Sequence, residues 1–500
     1  RLTLTGTALK DFSTRFCLMR HSFLKTSLSL SLLFLFVLAG TGAVQAQDDD
    51  GIISETNYDA LELRNIGPAI NGGRIADIDF HPEDENIWYV GVGSGNVWKT
   101  TNAGTTWDPI FDNQSSYSIG SVEVDPNHPN IVWVGTGENV GGRHVGYGDG
   151  VYKSTDGGES WENMGLEESE HISTMIVHPE NPDVVWVSAQ GPLWDSGGQR
   201  GLYKTTDGGE TWENVLSGDE WTGVTDVVMD PRNPDVLYAA TWQHHRTKWA
   251  YMGGGPESGI HKSTDGGESW NEVTQGLPSA NMGKIGLAVS PQRPDTVYAA
   301  ITLERRTGGV FMSTNRGESW TKQSDAVSGA TGPHYYQELY ASPHDHGTLF
   351  LVSAVTRMST NHGADFEPID LDTKHSDDHA IAFREDDPNY MLFGSDGGLY
   401  ETYDDRETWR YIDNLPVTQY YKISVDDAEP FYNVYGGTQD NGSNSGPSRT
   451  DHESGIRNAD WFKTLGADGH DTATDPELDK IVYHETQRGG LHRVDLATGD

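Results

Sequence analysis

One eight-residue string recurs along the chain and limits the possible folds more than any other feature. Its pattern is Ser/Thr-Thr-Asp-Gly-Gly-Glu-Ser/Thr-Trp, and three close copies begin at Ser154, Thr205 and Ser263. Weaker copies begin at Thr100, Ser313, Ser359 and Thr402. The aromatic residues that end the copies are 43 to 58 residues apart, which is the length of one four-stranded blade of a β-propeller.

Each copy predicts a tight turn between two strands. The Asp or Asn at the third position can accept hydrogen bonds from backbone amides two residues further on, and glycine tolerates the positive φ that such turns need. The Trp at the end is expected to fill the space between neighbouring blades. We therefore interpret the third-position residues as structural; they are Asn102, Asp156, Asp207, Asp265, Asn315, Asn361 and Asp404.

A second string keeps the same period and completes the blade. In segments such as 124–134 and 229–239, an apolar strand, a Pro-rich turn and another apolar strand follow one another. The sequence therefore predicts an all-β fold, with a seven-bladed β-propeller of four-stranded blades over residues 60–415 and the beginning of a second propeller over residues 416–500. Residues 61–66 are expected to close the first ring as an outer strand. A single ring of about ten blades is the alternative.

The repeat resembles that of the Asp-box, or bacterial neuraminidase repeat, superfamily, whose relatives include sortilin-type receptors and two-propeller xyloglucanases. The segments 67–74, 375–398 and 436–442 look like those of large exported bacterial propeller proteins described as sortilin-like or glycosyl hydrolase-like. The resemblance covers about residues 60–500. It implies the propeller fold and says little about function, because one architecture serves many functions.

The N-terminal part of the chain predicts export. Residues 1–18 precede Met19 and are interpreted as an upstream, non-native stretch. Residues 19–46 have the basic start, the apolar stretch and the small residues before the cleavage site that are typical of a secretory signal peptide, and residues 47–59 are expected to form a linker. The mature protein would be secreted, periplasmic or at the cell surface, with no membrane span; a retained anchor is the alternative. Cys17, the only cysteine, lies in the upstream stretch, so no disulfide is expected.

The charge of the chain argues against nucleic acid as a partner. The chain has 34 basic and 75 acidic residues and a net charge of −41; without residues 1–46, 29 basic and 74 acidic residues remain, a net charge of −45. Such a surface repels the phosphate backbone. The acidic residues are scattered, which indicates a solvated surface. No motif specifies a cofactor, and a divalent cation, which would need converging carboxylates, is the one possibility that we keep.

Loop lengths predict where a ligand would bind. Pro turns and Asp-box turns lie on one rim of the propeller and vary little, whereas loops between strands two and three and between blades lie on the other rim and vary. Drift in unconstrained loops is the alternative to a ligand-binding role. The candidate ligand-binding residues are Arg143, His144, Trp194, Trp242, His244, His245, Trp249, Tyr251, His334, Tyr335, Gln439 and Asp440.

A candidate metal site lies where blade seven begins. In an extended strand His375, Asp377 and His379 would point the same way, and two imidazoles with a carboxylate can hold a divalent metal. Asp378 and Asp468 complete the candidate set. A hydrogen-bonded polar plug at the channel mouth is the alternative.

The resemblance leaves both binding and catalysis open. A glycosidase needs two carboxyl groups at the scissile bond, one protonated and one ionised. Two-propeller xyloglucanases carry one catalytic Asp just after strand two of the first blade, and the corresponding segment here, residues 89–98, contains no Asp. We therefore interpret the chain as an exported module that binds a protein, peptide or glycan. A glycoside hydrolase with paired carboxylates between two propellers, and an assembly or scaffold factor, are the alternatives.

Overall fold

Antiparallel β-sheets follow one another along the chain in the computed structural model, which describes residues 63–328, 332, 334–369, 372–478 and 480–499. The predicted signal peptide, its cleavage site and the linker lie outside the described residues. Residues Ile66–Asp500 form one compact unit, and the domain boundary near residue 416 stays a prediction. Within the described part of the chain, no helix is long and apolar enough to cross a bilayer.

The first seven sheets have four strands each, arranged in sequential order. Sheets one to three contain β1 (Ile75–Phe80), β2 (Trp88–Val92), β3 (Val97–Thr100), β4 (Asp108–Pro109), β5 (Ile119–Val124), β6 (Val132–Thr136), β7 (Val151–Ser154), β8 (Glu162–Asn163), β9 (Ile172–His178), β10 (Asn181–Ala189), β11 (Gly201–Thr205) and β12 (Glu213–Leu216). Sheet four and its insertion contain β13 (Thr222–Asp230), β14 (Asn233–Gln243), β15 (His245–Arg246), β16 (Tyr251–Met252), β17 (Gly254–Gly255), β18 (Gly259–Ser263) and β19 (Asn271–Val273). The inserted β15 and β16 pair with each other, and β17 pairs with β20 (Met282–Gly283).

The remaining sheets continue the same pattern. Sheets five to seven contain β21 (Ile285–Val289), β22 (Val297–Leu303), β23 (Thr307–Ser313), β24 (Thr321–Ser324), β25 (Leu339–Ala341), β26 (Leu349–Leu351), β27 (Arg357–Ser359), β28 (Glu367–Pro368), β29 (Asp378–Phe383), β30 (Met391–Ser395), β31 (Gly398–Thr402) and β32 (Arg410–Tyr411). Sheets eight and nine contain β33 (Tyr420–Val425), β34 (Asn433–Thr438), β35 (Gly442–Pro447), β36 (Phe462–Leu465), β37 (Gly469–Thr474), β38 (Ile481–Thr486) and β39 (Gly490–Asp495). Short 3-10 helices occur at Glu304–Arg306, Asn458–Asp460 and Gln487–Gly489. The prediction of an all-β fold built from four-stranded sheets is confirmed.

The Asp-box turns join the third and fourth strands, but their hydrogen bonds differ from the expected pattern. Between β7 and β8, Oδ1 of Asp156 accepts a hydrogen bond from the amide of Ser160, four residues on rather than two. The hydroxyl of Ser154 accepts hydrogen bonds from the amides of Asp156 (3.2 Å) and Gly158 (2.8 Å). The hydroxyl of the first residue of the box therefore pairs with the backbone amides of the tight turn, and the Asp carboxylate closes a wider loop.

Two kinds of side chain connect neighbouring sheets. The indole of Trp161 donates to the carbonyl of Ile110 at 2.7 Å, just beyond the last strand of sheet one. Lys153 Nζ donates to the carbonyl of Gly208, in the next Asp-box turn, at 2.9 Å. The Trp of the repeat therefore lies between blades, as the sequence predicts.

Sheet one packs against sheet seven. One core cluster contains Ile75 of sheet one and Leu392 of sheet seven, and Asn414 Nδ2 donates to the carbonyl of Gly104 at 2.9 Å. A ring of seven sheets requires this contact, while the number of blades in the complete fold stays a prediction. Residues 61 and 62 of the expected closing strand lie outside the described residues, and residues 63–66 belong to no strand.

The inner strands of the seven sheets surround a central channel. A cavity of about 420 Å³ is lined by side chains from β1, β5, β9, β13, β21, β25 and β29. The first strand of each sheet therefore faces the axis, and the loops at one end of these strands form the mouth of the channel.

Candidate functional site

A cluster of charged side chains lies at one mouth of the central channel. Its members lie in loops that follow the second strand of a sheet, or at the beginning of a first strand or just before it. His379 connects the cluster to the channel, because it lines the cavity and also contacts Asp396. We call this group the channel-mouth cluster; it consists of Arg74, Glu138, His379, Asp396, Asp440 and Asp468.

Arg74 is buried and holds the cluster together. Its Nε and Nη2 atoms donate to the two carboxylate oxygens of Asp396 at 2.6 and 3.2 Å. Its Nη1 atom donates to Oε2 of Glu138 at 3.0 Å, and the ring centre of Tyr335 lies 5.4 Å from its guanidinium carbon. The pairing with Asp396 orients both groups, because a guanidinium matches a carboxylate in two parallel hydrogen bonds.

Asp396 is the ionised carboxylate of the cluster. Burial alone would raise its pKa, but the charges of Arg74 and His379 outweigh burial and hold the pKa of Asp396 well below the ordinary value of 3.8. Nε2 of His379 lies 3.0 Å from Oδ1 of Asp396, and the His379 ring stacks on Tyr336 with ring centres 5.3 Å apart. Asp396 therefore carries a negative charge throughout the neutral pH range.

The surroundings of Asp440 raise its pKa, whereas those of Asp396 lower it. Its backbone amide donates to Oδ1 of Asp468 at 2.7 Å, and the carbonyl of the preceding Gln439 accepts the amide of Asn441 at 2.7 Å. Burial, and then the charge of Asp396, raise the pKa of Asp440 to about 9, although its side chain still reaches solvent. At neutral pH the cluster thus contains a protonated carboxyl beside an ionised one, the arrangement that separates an acid from a base in active sites.

His144 and Tyr421 face each other beside the cluster, with ring centres 6.3 Å apart. His144 follows β6 in sheet two, whereas Tyr421 belongs to β33 in sheet eight. Burial, and then the charge of Arg74, lower the pKa of His144 to about 4, so the imidazole is neutral at pH 7. Its Nε2 atom is buried and has no hydrogen-bond partner among the described residues.

Glu138 lies beside the segment that lacks the Asp of two-propeller xyloglucanases. A Cβ atom placed on Gly93 would lie 3.1 Å from Cγ and Oε1 of Glu138, and Ser94 Oγ donates to Oε1 of Glu138 at 2.8 Å. Burial raises the pKa of Glu138, against the opposing charge of Arg74. A carboxyl group is therefore present at this position, but it comes from the loop after β6.

The blade-four residues predicted to bind a ligand differ strongly in exposure. Trp242 and His244 are buried, and their rings stack with centres 4.2 Å apart. The sequence interpretation placed Trp242 in a loop, whereas β14 extends to Gln243 and makes Trp242 part of a strand. His245 packs on a neighbouring indole, while Trp249, between β15 and β16, is 93% exposed. Trp249 therefore presents its ring to solvent, and Trp242 does not.

The other predicted ligand residues form an aromatic row that leads to the cluster. The ring of Tyr251 lies 4.8 Å from that of His334, which lies 4.9 Å from that of Tyr335. Trp194 packs against a small apolar cluster beside this row, and Arg143 is exposed. The structure brings together His144, Tyr251, His334, Tyr335 and Asp440. Trp242 is buried against Tyr251, with ring centres 6.3 Å apart, and His244 stacks on Trp242, while Trp249 is exposed.

The residues predicted to bind a metal contact other protein groups. Asp377 has a φ of +63°, and β29 begins only at Asp378, so the expected alternation of side chains along 375–379 does not form. The partners are the Ser376 carbonyl for His375, Tyr336 for Asp377, Lys374 for Asp378, Asp396 for His379 and the Asp440 amide for Asp468. Among the described residues, no three His, Cys, Asp or Glu side chains are arranged to hold a metal ion.

Three members of the channel-mouth cluster are absent from the sequence-based candidates, namely Arg74, Glu138 and Asp396. Glu138 and Asp396 follow the second strands β6 and β30, on the rim where ligand loops are predicted. A search for acidic residues directly after second strands would have found both, together with Asp440. Arg74 gives no such signal, because its partners come from sheets two and seven.

Family and sequence comparisons agree with the propeller assignment. The Sortilin-Vps10 family model (sortilin, neurotensin receptor 3) matches residues 149–306. A probable oligoxyloglucan-reducing end-specific xyloglucanase of Neosartorya fischeri is 24% identical over 237 residues, which cover 44% of this chain and 26% of that protein. Xyloglucanase Xgh74A of Acetivibrio thermocellus is 24% identical over 268 residues, 47% of this chain and 29% of that protein. The matches thus span between a quarter and a third of these relatives.

A comparison with solved structures shows the shared fold. The GH74 xyloglucanase from Xanthomonas campestris superposes with a TM-score of 0.58 at 14% identity, covering 86% of this chain and 73% of that chain. The resemblance to Asp-box propellers with sortilin-like and glycosyl hydrolase-like relatives is therefore confirmed.

Proposed function

We propose that this chain forms the substrate cleft of a glycoside hydrolase that acts on a polysaccharide. The observation that carries the proposal is the position of Asp440 at the channel mouth against Asp396 and Asp468, where burial and then the charge of Asp396 raise its pKa to about 9, as a general acid requires. Hydrolysis of a glycosidic bond needs one carboxylic acid and one carboxylate at the bond. The xyloglucanase relatives support a glycan as the class of substrate. The enzyme alternative is thereby favoured over the binding module.

In this proposal Asp440 is the general acid that protonates the leaving-group oxygen. It holds its proton because Asp396 next to it is already ionised, and Arg74 occupies both oxygens of Asp396. Asp396 therefore sets the protonation of Asp440 and does not attack the sugar. Asp468 is half-buried and accepts the amide of Asp440, and its side chain also hydrogen-bonds that of Asp440. This is closer than the roughly 5–9.5 Å between the two catalytic carboxyl groups of a glycosidase, so Asp468 positions the acid and the second catalytic carboxyl group comes from another residue.

Side chains next to the carboxyl groups can position a sugar ring. Tyr421 is 38% exposed, and an aromatic face packs well against the apolar face of a pyranose. His144 packs edge-on against the Tyr421 ring, with ring centres 6.3 Å apart, and its own Nε2 atom is buried, so it supports Tyr421 from the side. A sugar ring packed on the exposed part of Tyr421 would lie next to Asp440.

Substitution Asp440→Asn tests the proposal. We expect hydrolysis of xyloglucan and other β-glucans, measured by release of reducing ends, to fall at least about 100-fold, because the proton donor is lost at nearly constant size. Oligosaccharide binding, measured by calorimetry, should be retained. Asp427→Asn is the matched control, since Asp427 is an exposed carboxylate after β33 in the same sheet. Hydrolysis by Asp440→Asn at the wild-type rate would exclude Asp440 as the acid.

Binding without hydrolysis is the second candidate function. It is favoured by the absence of an acidic residue from residues 89–98, together with the exposed ring of Trp249. In that case the wild-type chain would bind oligosaccharides saturably and release no reducing ends. The two assays applied to the wild-type chain therefore distinguish the candidates before any variant is made.

A further inference from the structure

Two arginines at the channel mouth have no carboxylate partner within the described residues. Acidic residues outnumber basic ones 75 to 34 in this chain, so a carboxylate is normally available to an arginine, as Asp396 is to Arg74. Arg143, in the loop after β6, is exposed, and water can satisfy its guanidinium. Arg246 of β15 is only 6% exposed. A buried charge normally has a partner of opposite charge, so the surroundings of Arg246 need an explanation.

The guanidinium of Arg246 is fixed in position but keeps a free donor. Its Nε and Nη2 atoms donate to the carbonyl of Gly141 at 2.9 and 2.5 Å, and the ring centre of Tyr251 lies 4.6 Å from its guanidinium carbon. A carbonyl and an aromatic ring carry no full negative charge, so they do not neutralise the arginine. The Nη1 atom has no hydrogen-bond partner within the described residues and still reaches solvent. It is therefore open to a ligand.

The loop that Arg246 holds brings Arg143 close to it. Gly141, which accepts the two bonds from Arg246, also donates its amide to the carbonyl of His334 at 2.7 Å, so the loop is fixed on both sides. Burial, and then the charge of Arg143 against the opposing effect of Tyr251, lower the pKa of Arg246. Two like charges at close range repel each other. An anion bound by both arginines would remove this repulsion.

An aromatic row connects these arginines to the channel-mouth cluster. Tyr251 packs on Arg246 and is the first ring of the row. The row continues through His334 to Tyr335, with neighbouring ring centres 4.8 and 4.9 Å apart. Tyr335 in turn packs on Arg74 of the cluster. A polysaccharide bound at the cluster could therefore extend over the row and reach the two arginines.

We propose that Arg143 and Arg246 bind an anionic group on a sugar ring, so that the substrate is an acidic polysaccharide. A guanidinium forms short, charge-assisted hydrogen bonds to oxyanions, which are roughly twice as strong as neutral ones. The anionic group is a single oxyanion, supplied either by the carboxylate of a uronic acid or by a sulfate ester. This inference rests on the proposed function, because it names the class of substrate for the same site.

Calorimetric titration with matched oligosaccharides tests the proposal. The ligands are a β-1,4-linked glucose hexasaccharide, the β-1,4-linked glucuronic acid hexasaccharide and the glucose hexasaccharide with sulfate esters. The titrations use Asp440→Asn, which is expected to bind the ligands without consuming them, in about 150 mM NaCl to screen the acidic surface. We expect at least one of the anionic ligands to bind at least about tenfold more tightly than the neutral one. The two anionic ligands together identify the source of the oxyanion.

Arginine variants in the same background locate the preference. Arg143→Gln removes an exposed charge without breaking a hydrogen bond, so the Kd of the anionic ligand should rise about threefold and that of the neutral ligand should not change. Arg246→Gln should raise the Kd of the anionic ligand at least about tenfold. Arg293→Gln is the matched control, because Arg293 is an exposed arginine in the turn between β21 and β22, on the opposite rim.

Equal affinity for the neutral and both anionic ligands would overturn the proposal. A preference that persists in Arg143→Gln and Arg246→Gln, or that Arg293→Gln weakens as much, would also overturn it. If Arg246→Gln does not fold, Arg143→Gln decides alone. A preference for the anionic ligand without any hydrolysis by the wild type would support the anion site and refute the hydrolase. Hydrolysis by the wild type without such a preference would do the reverse.

Discussion

The first residue of an Asp-box turn is expected to stabilise the fold more than the exposed residues of the same turn. Ser154 is 1% exposed, and its hydroxyl accepts the amides of Asp156 and Gly158 at 3.2 and 2.8 Å. The same hydroxyl donates to Oδ1 of Asp156 at 2.8 Å. The substitution Ser154→Ala removes these bonds and leaves the buried amide of Gly158 without a partner.

The size of the effect follows from these contacts. A hydrogen bond contributes about 1 kcal/mol, and an orphaned buried amide costs about 1–3 kcal/mol. Because the bond from Asp156 is long, we expect Ser154→Ala to lower the free energy of unfolding by roughly 2–3 kcal/mol. At about 2.1 cal/mol/K per residue, the unit Ile66–Asp500 has an unfolding entropy of about 0.9 kcal/mol/K. A cooperative transition would then shift Tm down by roughly 3 °C.

Ser160→Ala is the matched control within the same turn. The hydroxyl of Ser160 donates to Oδ2 of Asp156 at 2.6 Å, but Ser160 is exposed, so water can replace this bond. We expect a change below about 0.5 kcal/mol. Scanning calorimetry and urea unfolding followed by circular dichroism measure both variants. A Ser160→Ala variant that is destabilised as much as Ser154→Ala would refute the reasoning.

Two further predictions concern pH and export. Burial raises the pKa of Asp77 from 3.8 to about 6, so the stability that this group contributes is complete below about pH 4 and is lost as pH rises through 6. Asp77→Asn should flatten that decline in thermal unfolding between about pH 4 and 8 without divalent ions, and an unchanged slope would contradict the assignment. N-terminal sequencing of the exported protein should find Gln47 as the first residue, and an intact Met19 would exclude cleavage.

The fold could be predicted from the sequence because its turns are specified locally. Ser154, Asp156 and Gly158 lie within five residues of one another, and their side chains and backbone close the turn without help from distant segments. The blade length then follows from the spacing of the turns. The exact donors could not be read from the pattern, because a third-position Asp can bond amides either two or four residues on.

The site could be predicted only in part, because its contacts are distant in sequence. Asp440 is among the candidates predicted from the sequence, but Asp396, the residue that controls its proton, is held by Arg74. That contact joins residues 322 positions apart and forms only when sheets one and seven meet. Trp242 shows the opposite error, because a polar, aromatic segment was interpreted as a loop although β14 continues through it.

The mouth and the interior of the channel neutralise carboxyl groups in different ways. At the mouth, Arg74 pairs with two carboxylates at fixed distances, so the position of the proton on Asp440 is set by covalently attached groups. Inside, Lys284 pairs with Glu338, and burial raises the pKa of Asp77 and of Asp226, so protons reduce the remaining charge. A general acid must keep its proton at the working pH, and the fixed contacts of Arg74 with Asp396 meet that need for Asp440.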